Sequence, residues 1–114
     1  MEIIWSKEAD EILKSGHLLD YDKIGIRNWY FTRLEALDVL DKFLAAKIPV
    51  LGVDVYQNID GITQSNYDNY YCNPQPKESK KDFAFRSVSA AKDYIEKYRS
   101  NNFDKTFFVL VPEV

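Results

Sequence analysis

Cysteine, histidine and glycine are scarce in this sequence, whose 114 residues include one Cys, one His and four Gly. The single cysteine, Cys72, excludes an intramolecular disulfide, and a chain of this length buries enough surface to fold without one. The acidic start, MEIIWSKEADEI, has no signal-peptide pattern, so we expect a cytoplasmic protein. We also expect no membrane span, because no apolar run approaches the roughly 20 residues that a spanning helix needs.

Signatures of nucleotide chemistry and hydrolysis are missing too. Gly52 and Gly61 are isolated and form no phosphate-binding motif, and no serine lies in a GxSxG motif. His17 follows Gly16 at the predicted end of a helix, where an imidazolium stabilises the helix dipole more readily than it serves catalysis. A nucleophilic pair of Cys72 and His17 has no local signature. We therefore predict a protein that is not an enzyme, with no catalytic residue and no cofactor.

Positive charge is absent from one long segment, residues 48–73, which contains Asp54, Asp60 and Asp68 but no Lys or Arg. All 15 Lys and Arg and the other 15 of the 18 acidic residues lie elsewhere, so this segment carries the whole net charge of −3. Such an acidic field repels nucleic acid and anionic lipid and attracts a basic protein surface. The aspartates match no calcium loop, so we predict no metal site and no direct binding to nucleic acid or membrane.

Capping residues and apolar spacing predict about three helices. The longest covers residues 32–48, where Thr32 and Glu35 form a capping box and Pro49 marks the end. Its core-facing residues recur at spacings of three and four and include Leu37, Leu40 and Leu44. The other two helices are predicted over residues 6–17, between the caps Ser6 and Gly16, and over residues 88–102, after the cap Ser87.

Stretches rich in β-branched and aromatic residues predict four or five strands. They cover residues 25–31, 50–57, 62–71 and 106–112, with a brief fifth at 83–85. Asp60 and Gly61 predict a tight turn, and NPQPKESKKD at 73–82 predicts an exposed loop. We therefore expect a single α+β domain over residues 1–114, with a mainly antiparallel sheet of four to five strands and about three helices packed on it.

Residues 65–73, SNYDNYYCN, contain three tyrosines and no aliphatic residue. This composition is unsuited to a hydrophobic core. Tyrosine gives large contact area at low entropic cost and is enriched at binding hot spots. The predicted partner-binding residues are Asp54, Tyr56, Tyr67, Asp68, Asn69, Tyr70 and Tyr71. Composition alone favours equally a tyrosine-rich sheet face that the chain's own helices cover. Two other functions stay open: a small enzyme or ligand-binding domain with an Asp/Tyr-lined pocket, and a structural subunit of an assembly.

The stretches LEALDVLDKF, VLGVDVY, YDNYY, SVSAAKDYIEKY and FFVLV together resemble the immunity protein 40 family of bacterial polymorphic toxin and contact-dependent inhibition systems. The resemblance covers roughly residues 10–111. Its most distinctive positions are Gly52, Asp54, Val55 and Tyr56, then Tyr67, Asp68, Asn69 and Tyr71. The chain departs from the family pattern at Val53, where a small residue is usual.

The resemblance implies a small cytoplasmic antitoxin that is encoded beside a secreted toxin and binds the toxin's C-terminal domain. It implies no catalytic residue. Many such toxins are nucleases with basic clefts, which an acidic, tyrosine-rich surface would suit, and we expect a monomer or weak dimer when the chain is free.

Overall fold

The computed structural model describes residues 2–100 and 105–114, which form two antiparallel sheets and four helices. The helices are α1 (Lys7–Leu13), α2 (Tyr21–Ile24), α3 (Arg33–Ala46) and α4 (Lys80–Lys97). The strands are β1 (His17–Leu18), β2 (Trp29–Tyr30), β3 (Val50–Ile59), β4 (Ile62–Tyr71) and β5 (Thr106–Pro112). The main sheet has the order β4-β3-β5, and β1 pairs with β2. The predicted α+β class is confirmed.

The main sheet has three strands where the sequence predicted four or five. The segment at 25–31 contributes β2, which pairs with β1, and meets the main sheet through one antiparallel bridge between Phe31 and Phe108. The predicted strand at 83–85 is wrong, because these residues lie in α4. Phe83 and Ala84 precede Ser87 and Val88 by one helical turn, and all four side chains are buried on one side of that helix.

Helix α4 begins at Lys80, eight residues before the predicted start at Val88. Its N-cap is Ser79, whose Oγ accepts a hydrogen bond from the Asp82 amide at 3.0 Å. Ser87 is instead buried, and its Oγ accepts a hydrogen bond from the Val50 amide at 3.0 Å. The helix ends at Lys97, and residues 101–102 of the predicted helix lie outside the described part of the chain.

The predicted start of α3 is confirmed: Thr32 Oγ1 accepts from the Glu35 amide at 3.3 Å, and Glu35 Oε1 accepts from the Thr32 amide at 2.8 Å. Helix α1 has the predicted N-cap, Ser6, but ends at Leu13. Gly16 is therefore not its cap. A Cβ on Gly16 would lie 2.5 Å from the Phe31 ring, so this glycine permits close packing.

His17 also departs from its predicted place, since it begins β1 and does not stand at a helix end. Its Nε2 lies 3.1 Å from Glu35 Oε1. Within the described residues, no helix is both long and apolar enough to cross a membrane.

The main core lies between helices α1, α3 and α4 and one face of the main sheet. Val53 and Val55 project from β3 into it, and Leu40 of α3 is fully buried against them. Leu37 and Leu44 are half-buried and pack against the same cluster, as predicted. The opposite sheet face is covered only in part, by a second cluster of Leu19, Tyr56 and Val109. This leaves the β4 side of that face open.

Candidate functional site

Strand β4 forms the free edge of the main sheet. At the opposite edge, Phe31 and Phe108 exchange two backbone hydrogen bonds, of 2.9 and 2.8 Å, so β5 has a partner on its outer side. Among residues 2–100 and 105–114, β4 pairs with β3 alone. A free edge offers unpaired backbone groups to another chain.

A bulge interrupts β4 at its centre. Asp54 pairs with Asn69 and Tyr56 pairs with Ser65, so the single residue between them in β3 faces the three residues 66–68 of β4. Tyr67 lies at the apex with a φ of 71°, a left-handed conformation that non-glycine residues rarely adopt. Its side chain is 87% exposed, the largest value among the exposed apolar and aromatic side chains. Bulges of this kind redirect a side chain away from the sheet.

Short-range hydrogen bonds hold the bulge. The Tyr67 amide donates to Ser65 Oγ at 3.0 Å, and the Asp68 amide donates to Asn66 Oδ1 at 2.9 Å. The Asn69 side chain donates to the Tyr67 carbonyl at 3.3 Å. The serine and asparagines of SNYDNYYCN therefore shape the backbone that presents Tyr67.

On the open face of the sheet, Tyr71 crosses from β4 to β3. Its hydroxyl donates to Asp54 Oδ1 at 3.2 Å. Gly52, which pairs with Tyr71, leaves room for the ring, since a Cβ there would lie 2.4 Å from Tyr71 Cδ1. Gly52, Asp54 and Tyr71 thus form one unit, in which the glycine admits the ring and the aspartate orients it.

Asp68 has a different partner. The Tyr98 hydroxyl, beyond the end of α4, donates to Asp68 Oδ2 at 2.5 Å and accepts from Asn66 Nδ2 at 3.0 Å. The bulge thereby ties its Asp68 to the helix side of the sheet, while Asp54 stays on the open side. No sequence signal marks Tyr98 as a partner of Asp68, because the two are 30 residues apart.

Two of the seven predicted partner-binding residues are mostly enclosed. Tyr56 is 3% exposed in the cluster with Leu19 and Val109. Tyr70 faces α4, and its ring stacks on Tyr94 with centroids 5.4 Å apart. The structure therefore contains both of the arrangements that the sequence left open: a tyrosine face covered by a helix and a tyrosine edge that is not. We call the other five residues the β4 edge surface. Tyr67, Asp68, Asn69 and Tyr71 are exposed, and Asp54 is half-buried.

Asp54 and Asp68 have no cationic partner among the described residues. Burial raises the pKa of Asp54 above its ordinary value, and the Tyr71 hydrogen bond lowers this pKa only in part. Burial also raises the pKa of the Tyr71 and Tyr98 hydroxyls, and the neighbouring carboxylates raise both pKa values further. The free protein thus keeps a half-buried carboxylate without a counter-ion, which is unfavourable until a cation approaches.

Asp60 lies apart from this surface, in the predicted turn with Gly61. Both residues have positive φ, 54° and 84°, as the turn requires. In the described part of the chain, no group of three His, Cys, Asp or Glu side chains could hold a metal ion.

Neither Asp54 nor Asp68 lines any of three grooves on the described part of the chain. The groove nearest to β4, of about 510 Å³, is lined by Tyr70, Tyr94 and Tyr98 together with charged residues of α4 and its C-terminal end.

The loop that follows β4 is fixed by an ion pair that the sequence did not reveal. The Arg86 guanidinium donates to both carboxylate oxygens of Glu78 at 2.8 Å and to the Asn73 carbonyl at 2.7 Å. Its third nitrogen lies 3.2 Å from Cys72 Sγ. This network anchors the C-terminal end of β4, and with it Tyr71, to α4.

The fold and the site define a small α+β protein with an exposed, acidic and aromatic sheet edge. The sequence model of the immunity protein 40 family matches residues 20–112, most of the chain, and the chain belongs to this family. Membership implies an immunity protein, in agreement with the resemblance found in the sequence. Comparisons with curated proteins and with solved structures gave no significant match.

Proposed function

We propose that this protein binds and neutralises a cognate secreted toxin through the β4 edge surface. The observation that carries the proposal is the bulge, which holds the Tyr67 backbone in a left-handed conformation and exposes its ring next to Asp68, a carboxylate with no cationic partner among the described residues. Because Tyr67 is exposed, this backbone strain does not contribute to core packing. Strain of this kind is typical of functional positions. The family assignment supplies the class of partner.

The composition of the β4 edge surface suits a protein partner with positive charge. Tyr67 and Tyr71 offer large rings with polar tips, which is the chemistry of binding hot spots. Asp54 and Asp68 offer charge that no described lysine or arginine neutralises. Opposite charge on the toxin would speed association and fix its orientation. A toxin domain with a basic, phosphate-binding cleft, as in a nuclease, fits this surface best.

The proposal places the protein in the cytoplasm, as a monomer or weak dimer before it meets the toxin. It assigns no catalytic residue and no cofactor, and no direct contact with nucleic acid or membrane. The partner is the C-terminal domain of the toxin, which carries the toxic activity.

The alternative of a ligand-binding or catalytic pocket lined by Asp and Tyr has little support. Asp54 and Asp68 have separate tyrosine partners, Tyr71 and Tyr98, and neither lines any of the three grooves described above. A structural subunit with a permanent partner would use the same surface. The two functions differ in one respect, since only an immunity protein restores growth to cells that produce the toxin.

Co-expression tests the proposal. The C-terminal domain of the toxin encoded by the adjacent gene is produced with and without this protein, and growth and co-purification are measured. We expect a stable complex and restored growth, and we expect Tyr71→Ala to weaken both. A toxin domain that kills equally well in the presence of the folded protein would contradict the proposal.

A further inference from the structure

The backbone hydrogen bonds show which β4 residues turn their peptide groups outward. The Cys72 amide donates to the Leu51 carbonyl at 2.7 Å, so residues 51 and 72 form a hydrogen-bonded pair. In an antiparallel ladder, hydrogen-bonded and non-hydrogen-bonded pairs alternate. Two pairs are therefore non-hydrogen-bonded: Gly52 with Tyr71, and Asp54 with Asn69. The N–H and C=O groups of Asn69 and Tyr71 point away from β3, toward the free edge.

The other side of the sheet gives the same result independently. Phe108 directs both of its backbone groups to Phe31, away from β3, so its pair with Val55 is non-hydrogen-bonded. The adjacent pair, Asp54 with Val109, is then hydrogen-bonded, and the backbone groups of Asp54 point toward β5. They cannot bond to Asn69 at the same time. The hydrogen-bond patterns on both sides of β3 thus agree that the peptide groups of residue 69 point away from β3, toward the free edge.

We propose that the toxin binds by strand addition: an extended segment with a lysine or arginine side chain pairs with the backbone of Asn69 and Tyr71. This inference rests on the proposed function and specifies how the contact is made. Strand addition takes its affinity from main-chain hydrogen bonds and its specificity from alternate side chains. The outward peptide groups of residues 69 and 71 supply the main-chain hydrogen bonds, and Asp54 supplies the specificity for a side chain.

The position of Asp54 explains why the added side chain must be long and basic. A strand added beside β4 would lie about 10 Å from β3, twice the spacing between neighbouring strands. A side chain paired with Asn69 or Tyr71 would lie on their face of the sheet, which is also the face of Asp54. Only lysine or arginine could reach across β4 to this carboxylate. An arginine would also pass over the Tyr71 ring, where a cation is attracted to the aromatic face.

A second copy of this chain is the wrong occupant for the edge. Antiparallel pairing of two β4 edges would face one acidic segment with another, and residues 48–73 contain no Lys or Arg to separate the charges. The bulge at residues 66–68 would also prevent a long ladder. Charge and bulge together disfavour self-association while they leave residues 69–71 open to a short basic strand.

Amide hydrogen exchange, measured by NMR on the free protein and on its complex with the C-terminal domain of the adjacent gene's toxin, tests strand addition. The amides of Asn69 and Tyr71 should exchange rapidly in the free protein and slow by about tenfold or more in the complex. The ladder amides of Tyr70 and Cys72 are internal controls, because they should be protected in both states. Rapid exchange of Asn69 and Tyr71 in a stable complex would overturn strand addition and leave the proposed function intact. Absence of any complex would overturn the proposed function itself.

Proline substitution gives a second, independent measurement. Asn69→Pro removes one outward N–H but no bond to β3, and should weaken toxin binding by about tenfold or more. Asn69→Ala removes the same side chain but keeps the N–H, so it should bind clearly more tightly than Asn69→Pro, and the difference between the two variants measures the backbone contact. Thr63→Pro is the matched control on the same edge, beyond the bulge, and should bind like the parent. Equal binding by both Asn69 variants, with melting temperatures unchanged, would contradict the proposal.

Discussion

The Tyr71 ring occupies the space that a side chain on Gly52 would need. A Cβ at residue 52 would lie 2.4 Å from Tyr71 Cδ1 and 2.8 Å from the Tyr70 carbonyl oxygen, and both distances are shorter than van der Waals contact. The glycine is therefore required by packing across the strand pair, since Gly52 is not among the residues with positive φ. It fixes where the Tyr71 hydroxyl meets Asp54.

We predict that Gly52→Ala destabilises the protein by about 1 to 3 kcal/mol, the usual cost of forcing a methyl group into a packed site. The free energy of unfolding in urea measures this loss. In a Tyr71→Ala background the same substitution should cost less, because the ring contact is gone and only the Tyr70 carbonyl remains. Equal costs in the two backgrounds would show that the ring does not need the glycine.

A second prediction concerns the helix α3 face. Leu40 is fully buried, whereas Leu34, on the same helix, is 79% exposed. Leu40→Ala should cost about 2 to 5 kcal/mol of unfolding free energy. Leu34→Ala, the same chemical change at the surface, should stay within about 0.5 kcal/mol of the parent. A loss of less than half a kcal/mol at Leu40 would mean that the core face is wrongly assigned.

The ion pair of Glu78 and Arg86 predicts sensitivity to acid. Hydrogen bonds from Arg86 lower the pKa of Glu78 to about 2 from an ordinary value of 4.5. Because the folded state holds this proton less tightly than the unfolded state, the pair stabilises the fold above pH 4.5, and the stabilisation is lost as the pH falls toward 2.

Urea unfolding across this pH range should therefore show a shallower dependence on pH for Glu78→Gln than for the parent. The exposed pair of Lys92 and Asp41 offers a control, since Asp41→Asn removes an ion pair from the surface. We expect that variant to follow the parent's curve. Parallel curves for the parent and Glu78→Gln would refute a stabilising role for this carboxylate.

Asp54→Asn should separate stability from binding. Burial raises the pKa of Asp54, so the folded state binds its proton more tightly than the unfolded state, and the parent loses stability as the pH rises above 3.8. The asparagine variant escapes this loss and should melt at or slightly above the parent's temperature at pH 7. Its affinity for the toxin should fall by about 2 to 5 kcal/mol, as for a broken interfacial charge pair.

Calorimetric titration with the toxin domain and thermal melts measure the two effects on the same samples. Asp60→Asn, in the hairpin turn outside the β4 edge surface, is the matched control and should bind like the parent. A marked drop in melting temperature with unchanged affinity would assign Asp54 to the fold and not to the interface.

Local signals in the sequence were sufficient for much of the fold. The capping box of Thr32 and Glu35, the alternation of Val53 and Val55, and the turn at Asp60 each depend on neighbouring residues, and the structure confirms them. The start of α4 was misplaced because both Ser79 and Ser87 are good N-caps. The choice between them depends on tertiary burial of Phe83, which no local rule contains.

The candidate site was predictable only in part. The two extra residues of the bulge preserve the alternation of faces along β4, so Asp68 and Tyr70 lie on the helix side and Asn69 and Tyr71 lie on the side of Asp54. That distribution follows from alternation within β4. The bulge at 66–68 and the left-handed Tyr67 at its apex depend on pairing with β3, which the sequence of β4 alone cannot reveal.

Tyr67 gives the sharpest test of whether the bulge serves binding. Its φ of 71° is costly for tyrosine and easy for glycine, so Tyr67→Gly relieves backbone strain while it removes the exposed ring. The free energy of unfolding should stay level or rise by up to about 1 kcal/mol, because the gain in the folded state is partly offset by a more flexible unfolded chain. Toxin affinity should fall by about 2 kcal/mol or more, the loss expected at a hot spot.

Tyr67→Ala separates the two effects, since it removes the ring but keeps the strained backbone. It should lose the same affinity as Tyr67→Gly and gain no stability. Phe85→Ala, on the exposed side of α4, is the control for a large side chain of comparable exposure, and it should bind the toxin like the parent. If both Tyr67 variants bind and protect cells as the parent does, the strained tyrosine is not at the interface. The β4 edge surface would then lose the observation that supports it best.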